Sequence, residues 1–495
     1  MFQTIRAGAG IYHDLMGSGL IRLFDASALG LSTSLSNPAG QLNFDTAPRL
    51  TSLNDIPAAL ITPAPPAVFP VRQPNNFAIT NSLDDRLKTP YSINLNFSVQ
   101  REFSGGLFIQ ASYVSRLSRR SLTSEDIATP ANIKDPASGM DYFTAAQLLV
   151  RQFRAGVPTA QVQKIPYWEN MFPGIASAAL TATQVAYNTY RANGPDSTSA
   201  LETLDRFASP SASRLGAFAY FSPQYSYLRV LRSVGNGNYH AMQWTVRKRF
   251  RNGDQIDFNY SLAKSIDTGS TTENNSDSSR GVIINPFNRR LHRSVSDYDS
   301  LHNWNANWVY GLPFGKGHRL MDKGKALDAL IGGWQLSGIY RHSSGLPISV
   351  GNGRFWPTNY NITGWADQIA PVVAGTNRNA ARPTTGGSSG ANIFQDPSVA
   401  IKAFDNALPG EVGLRNNIRG DGFLNLDVGL GKKFALPWKE GHSIQFRWEV
   451  FNVLNNVRFD VRSISLDLGN ASSFGKYSDT LTPPRVMQFG LRYDF

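Results

Sequence analysis

Ten segments of this chain alternate apolar and polar residues with a period of two. That pattern narrows its possible folds more than any other feature, because period two places every apolar side chain on one face of a strand. In "YSINLNFSVQREF" (91–103), Ile93, Leu95, Phe97 and Val99 oppose Asn94, Asn96, Ser98 and Gln100. In "NYHAMQWTVRKRF" (238–250), Met242, Trp244, Val246 and Phe250 oppose Gln243, Thr245, Arg247 and Arg249. "DQIDFNYSLAK" (254–264) repeats the arrangement, and the remaining segments fall at 2–13, 106–116, 303–312, 333–345, 423–434, 442–454 and 485–495. The last keeps alternating to the final residue, with Met487, Phe489, Leu491, Tyr493 and Phe495 on one face.

The links alternate as well. Short ones lie at 104–106, 251–254, 313–332 (with a short helix) and 435–441, and long ones at 14–90, 117–237, 265–302, 346–422 and 455–484. Every long link then falls at one end of the strands, which a soluble sandwich gives no reason for and an outer-membrane barrel requires. One strand face is Ile, Leu, Phe, Trp and Val, as hydrocarbon demands. The other carries Arg247, Arg341, Asp427, Arg447, Glu449, Arg492 and Asp494, where a small soluble barrel would pack apolar residues. Trp304, Trp308, Trp334, Trp438 and Trp448 sit on or near strands, as interfacial girdles would place them. The expected fold is all-β: an antiparallel transmembrane outer-membrane β-barrel portion of about ten strands, with long extracellular loops, some containing short helices.

Composition removes several alternatives. There is no cysteine, hence no disulfide, thiolate metal site or cysteine nucleophile. The formal charge of +12 favours anionic partners, yet no basic helix or zinc-finger spacing accompanies it, and nucleic acid is not an expected partner. No run of eighteen apolar residues marks a membrane helix, and "MFQTIRAGAGIYHDLM" reads as no signal peptide. The seven histidines are scattered, without an i, i+4 pair. "ENNSDSS" (273–279) and "SDYDS" (296–300) offer oxygen ligands without EF-hand spacing, and "GLGKK" (429–433) lies inside a strand rather than a phosphate loop. No catalytic residue, metal or cofactor is expected.

The closing residues "QFGLRYDF" place Gly490, Tyr493 and Phe495 in an arrangement that resembles the C-terminal signal read by the barrel-assembly machinery. A strand edge with alternate side chains read in pockets is the physical form such recognition takes. The stretches "RAGAGIYHD", "NLNFSVQREFSGGLFIQASYV", "GNYHAMQWTVRKRFRNGDQIDFNYSLAKSID", "LPFGKGHRL", "IGGWQLSGIYRHSSGLPISV", "IQFRWEVFNVLNNVRFD" and "SFGKYSDTLTPPRVMQFGLRYDF" resemble the C-terminal barrel of TonB-dependent receptors, of the Oar-like (carboxypeptidase-regulatory-like) branch. The resemblance implies a barrel of about 22 strands with a plug in its lumen. It also implies ligand capture by the loops and plug movement driven through the TonB complex. Ten strands, with no plug, coupling box or signal peptide, depart from that pattern. An open ten-strand sheet would leave roughly ten backbone groups unpaired on each edge in hydrocarbon, a cost on the order of tens of kcal/mol. The expectation is the C-terminal part of a longer protein that reaches TonB through a missing N-terminal part.

Two arginine groups, Arg116, Arg119 and Arg120, and Arg289, Arg290 and Arg293, flank strands at the expected outer rim. They are candidates to contact lipopolysaccharide phosphates through charge-assisted hydrogen bonds, or to form a solvated basic rim. Within 117–237, "YFTAAQLLVRQF" and "GIASAALTATQVAYNTYRA" read as helices, either a cap that grips ligand or an excursion with its own small core. The functional expectation is a TonB-dependent transporter or receptor-like barrel that captures an unknown ligand for energy-coupled uptake. Its rivals are a passive pore or a surface-binding or export barrel without active uptake, an outer-membrane hydrolase, and a soluble glycan-binding β protein. The hydrolase would need acidic residues and histidine converging at the rim, and the sequence shows no such cluster.

Overall fold

The computed structural model describes residues 2–14, 78–208, 211–250, 253–270, 282–315, 320, 325–353, 355–360, 362–436 and 441–495. The oxygen-rich stretch 273–279 and Trp438 lie outside the described residues. Ten strands form one wall: β1 Phe2–His13, β2 Tyr91–Phe103, β3 Leu107–Asp126, β4 Tyr225–Arg249, β5 Gln255–Asp267, β6 His302–Gly311, β7 Trp334–Ser343, β8 Phe423–Ala435, β9 Ser443–Phe451 and β10 Val486–Asp494. Each pairs antiparallel with the next in chain order. Among the described residues β1 pairs only with β2 and β10 only with β9, so the sheet is not closed.

Register keeps the apolar residues on one face. Val246 lies opposite Phe258 and Trp244 opposite Tyr260, whose ring stacks on the indole at 5.3 Å and on Trp304 at 4.3 Å. Aromatic cross-strand pairs of this kind each stabilise a sheet by about 0.2–1 kcal/mol. Gly338 on β7 is where Trp308 lies across the strand: a Cβ there would sit 2.1 Å from the indole. This face is uncovered, with Phe489 70% and Leu491 75% exposed. No described helix is long and apolar enough to cross a membrane. Between its two edge strands, pairing satisfies the wall's backbone, the solution besides helices that hydrocarbon permits.

The structure departs from the alternation in two places. β3 and β4 run on, past the expected 106–116 and 238–250, to pair as far as Asp126 and Arg229. The alternation ends at Arg120, which has φ 55 and coincides with shifts of register on either side of Ser121. Beyond it both faces are covered, so Ser124, Glu125, Asp126, Val230 and Leu231 are all buried and period two disappears. The sheet is also not wholly antiparallel. Ala78–Leu83 runs parallel to β4, and Val282–Ile283 runs parallel to β3 at Ser124–Glu125.

The described parts of the long links fold into a cap on this projecting stem. One lobe holds α1 Tyr142–Arg154, α2 Pro166–Met171, α3 Ala182–Asn193 and α4 Ser197–Glu202. Asp141 caps α1 by accepting from the Thr144 amide at 3.0 Å, and Thr181 with Gln184 forms a capping box on α3. Trp168 is fully buried at its centre, with Tyr142, Tyr167, Phe172 and Tyr190 packed around it. The buried phenols satisfy one another, Tyr142 with Tyr190 at 3.0 Å and Tyr167 with Tyr220 at 2.7 Å. The excursion therefore has a core of its own. A second lobe, from 346–422 and 455–484, packs Val350, Phe394, Phe404, Val461 and Phe474 together.

Trp168→Ala should cost about 3–5 kcal/mol, the range for emptying a large core site. Limited proteolysis after Arg154, Lys164 and Arg191 should then accelerate while far-UV strand signal persists; unchanged cleavage would refute a separate core.

Candidate functional site

Two surfaces merit attention: the ionic clasp that joins the cap to the stem, and the wall's polar face. The clasp begins where β3 and β4 leave the wall. Glu125 on β3 is buried and bound from two sides. Arg232 of β4 reaches it at 2.6 Å while also holding Asp84 at 2.6 Å, and Arg289 grips both its oxygens at 2.7 and 2.9 Å. Glu125 thus joins β4 to the link that carries Arg289, and Arg232 extends the clasp to Asp84. A second node is the buried Arg415, from the link between β7 and β8. It donates to Asp267 at 2.5 Å, Ser270 Oγ at 2.6 Å, Asp297 at 3.2 Å and the His292 carbonyl at 3.3 Å. Arg419 binds Asp299 beside it. Charges so far from water persist because each is paired and hydrogen-bonded, and removing one partner strands the rest at a cost of about 3–5 kcal/mol.

Titratable groups in the cap are shifted by the same burial. Asp126, the last residue of β3 and well beyond a membrane span, accepts from the amides of Ala128 at 2.9 Å and Leu228 at 2.8 Å. Burial nevertheless pushes its carboxyl up to about 7. Asp367 also rises to about 7, through burial and then its hydrogen bond to Glu411. His292 is pushed down to about 3 by burial and by Arg415, and its Nε2 accepts from the Ile284 amide at 2.9 Å. It is a neutral structural acceptor. Among the described residues no three His, Asp or Glu side chains gather as metal ligands.

The lobes are tied to each other too. Arg154 of α1 pairs with Asp405 at 3.1 Å and donates to the Asn406 carbonyl at 2.6 Å, while Gln147 donates to the Pro409 carbonyl at 2.8 Å. On the wall's polar face, Thr245 donates to Asn259 at 2.8 Å, and Arg247 pairs with Asp257. Near the short turns, Gly429 and Gly431 leave a recess of about 310 Å³ rimmed by Ser337, Lys433, Gln445, Arg447 and Glu449. It is shallow and polar, and holds no arrangement of nucleophile, base and orienting group.

The arginines singled out from sequence do not form one cluster. Arg289 is taken up by Glu125, while Arg290 and Arg293 are exposed near it. Arg116 falls by alternation on the polar face, Arg119 is held by the Gly237 carbonyl and Asn238 Oδ1, and Arg120 lies 5.2 Å over the Tyr91 ring. Arg119 and Glu125 are six residues apart on one strand, about 20 Å. Arg232 and Arg415, which organise the clasp, carry no local signal: their partners come from other links. At the other end Phe495 is 92% exposed, and Tyr493 of β10 bonds to His442, just before β9, at 2.5 Å.

Residues 3–488 match the family of the outer membrane beta barrel domain. The chain belongs to this family, and its place is the bacterial outer membrane. Among solved structures it is similar to the outer membrane transporter YddB from Escherichia coli, at 10% identity and TM-score 0.34 over 84% of this chain and 34% of that one. The siderophore receptor PirA from Acinetobacter baumannii matches at 8% identity and TM-score 0.30, over 83% and 32% of the two chains. The FrpB iron transporter from Neisseria meningitidis matches at 10% and 0.29, over 84% and 33%. The chain spans about a third of the length of these proteins. No curated protein matches it.

Two outcomes are expected of the clasp. Arg415→Met should destabilise the cap by about 3–5 kcal/mol, seen as earlier cap unfolding in denaturant. For Asp126, the native carboxyl keeps its proton up to about pH 7, whereas the unfolded one releases it near pH 4. Its contribution is full below pH 4 and is lost as pH rises through 7. Asp126→Asn should remove that loss, so that the variant gains on wild type by up to about 4 kcal/mol between pH 4 and 8. A pH-independent difference would contradict the assignment.

Proposed function

We propose that this chain is the C-terminal wall and cap of a TonB-dependent, Oar-like outer-membrane receptor, which captures a ligand at its extracellular loops for energy-coupled uptake. The observation that carries the reading is a ten-strand wall whose two edges have no strand partner among the described residues. Along β1 and β10 roughly ten backbone groups per edge would face hydrocarbon, a cost on the order of tens of kcal/mol against a folding margin of about 5–15. Further strands from outside these residues complete the wall, and a plug fills the interior that the polar face then lines. The recess near Arg447 and Glu449 belongs to this interior.

The cap supports capture. Its lobes are tied to each other by Arg154–Asp405 and to the stem by more deeply buried ion pairs, so that ligand meets a preformed surface rather than separate loops. Little ordering entropy is then lost on binding. No side chain of the cap identifies the ligand. The free edge of β10, with Gly490, Tyr493 and Phe495, is the part offered to the assembly machinery, by strand addition.

Intact mass of the native protein, extracted in detergent from outer membranes, tests the reading. A mass well above 54.4 kDa, with closed behaviour in planar bilayers, is expected. A mass of 54.4 kDa with steady conductance would replace it with a passive pore. Separately, Tyr493→Ala combined with loss of Phe495 should lower the assembled protein in the membrane several-fold while leaving its synthesis unchanged. Equal assembled levels would remove the C-terminal signal.

A further inference from the structure

Where the apolar face meets the cap, three adjacent strands present a row of unneutralised donors. By register Ser115 of β3, His240 of β4 and Lys264 of β5 are direct neighbours. Their steps are about 4.8 Å. All three share the face of Tyr113, Met242 and Leu262, the uppermost apolar row beneath them. Tyr113 stacks on His240 at 6.2 Å and 22°, and its hydroxyl meets Nδ1 at 2.7 Å. When the phenol donates, the ring carries its proton on Nε2, which then serves as a donor on the far side.

Arg119 closes the row from above. Its Nη1 is anchored to the Ser118 carbonyl at 2.8 Å, the Gly237 carbonyl at 3.1 Å and Asn238 Oδ1 at 2.8 Å. Asn238 is two residues above His240 on the same face. The anchoring positions the guanidinium and leaves Nε and Nη2 without partners among the described residues. No described carboxylate pairs with Arg119, His240 or Lys264. At the base of the row, Ser115 is 1% exposed and its hydroxyl has no partner. A buried donor left unmade is costly unless something fills it. A cation, a guanidinium and an imidazole donor thus border one stretch of the wall, with His240 and Lys264 one strand spacing, about 4.8 Å, apart. Two strands further along, Tyr260 and His302 repeat the phenol–imidazole pair at 2.8 Å on the same face, which marks the level at which the wall leaves hydrocarbon.

We propose that this rim binds the phosphate group of an outer-leaflet lipid, held by Arg119, His240 and Lys264 over Ser115, with the acyl chains lying on the Met242–Leu262 row. Phosphate suits the geometry because its oxygens accept several charge-assisted bonds at once. A lipid suits it because the Tyr113, Met242 and Leu262 row lies directly below. The inference needs only the outer-membrane location and stands whether or not the chain takes part in uptake.

The test is native mass spectrometry of the full detergent-extracted protein titrated with phosphorylated lipid A, dephosphorylated lipid A and inorganic phosphate. Wild type should bind phosphorylated lipid A at least about tenfold more tightly than either His240→Gln/Lys264→Met or the dephosphorylated lipid would allow. Lys164→Gln, on the exposed surface of the helical lobe, should bind as wild type does. Circular dichroism and the heat-dependent gel shift of the double variant establish that it is folded; Lys264→Met alone, with a smaller loss, serves if it is not. Equal binding by wild type and variants, or by phosphorylated and dephosphorylated lipid, overturns the proposal. Displacement of the lipid by millimolar inorganic phosphate would make this a phosphate-ion site and overturn the lipid assignment.

Discussion

A backbone amide in hydrocarbon has only another backbone group to bond, and this requirement organises the molecule. It explains why the wall is one continuous antiparallel ladder from β1 to β10, with each strand beside its neighbour in sequence. It also explains the apolar face, where Phe489, Leu491 and Phe495 are exposed in a way no water-facing sheet would tolerate. The same requirement makes the two edges, unpaired among the described residues, the most informative feature of the topology.

Above the wall the solvent changes and so does the physics. β3 and β4 continue as a stem, and around it burial is achieved with charge as much as with apolar contact. Glu125 is shared by Arg232 and Arg289, and Arg415 by Asp267 and Asp297. Such pairs contribute less to net stability than an apolar core of equal size, but they are demanding about geometry. Their role here is to fix how separate links sit relative to one another. The apolar centres around Trp168 and Phe474 hold each lobe together, while the ion pairs and Arg154–Asp405 set the lobes in place.

Much of this was legible in residue order. Alternation located the wall strands and their faces because a strand exposed to two different solvents must alternate. Where both faces met protein, in "SLTSED" of β3 and "YSYLRVL" of β4, the alternation vanished and the strands were read as loop. The helices at α1 and α3 were legible as helical stretches, while their caps, Asp141 and Thr181, emerged only from the structure. The arginine groups were visible as charge, yet charge in sequence does not reveal its partner. Arg289 read as a rim residue and is a buried carboxylate's clamp.

The sequence alone determined that this is an outer-membrane wall of alternating strands with long links at one end, because period, link length and face chemistry are local properties. Tertiary structure decided the rest. It alone brought Asp84, Glu125, Arg232 and Arg289 to one point, joined the links into a two-lobed cap, and set Ser115, His240 and Lys264 side by side. Those arrangements depend on register and on contacts between residues up to hundreds of positions apart, which no local pattern encodes.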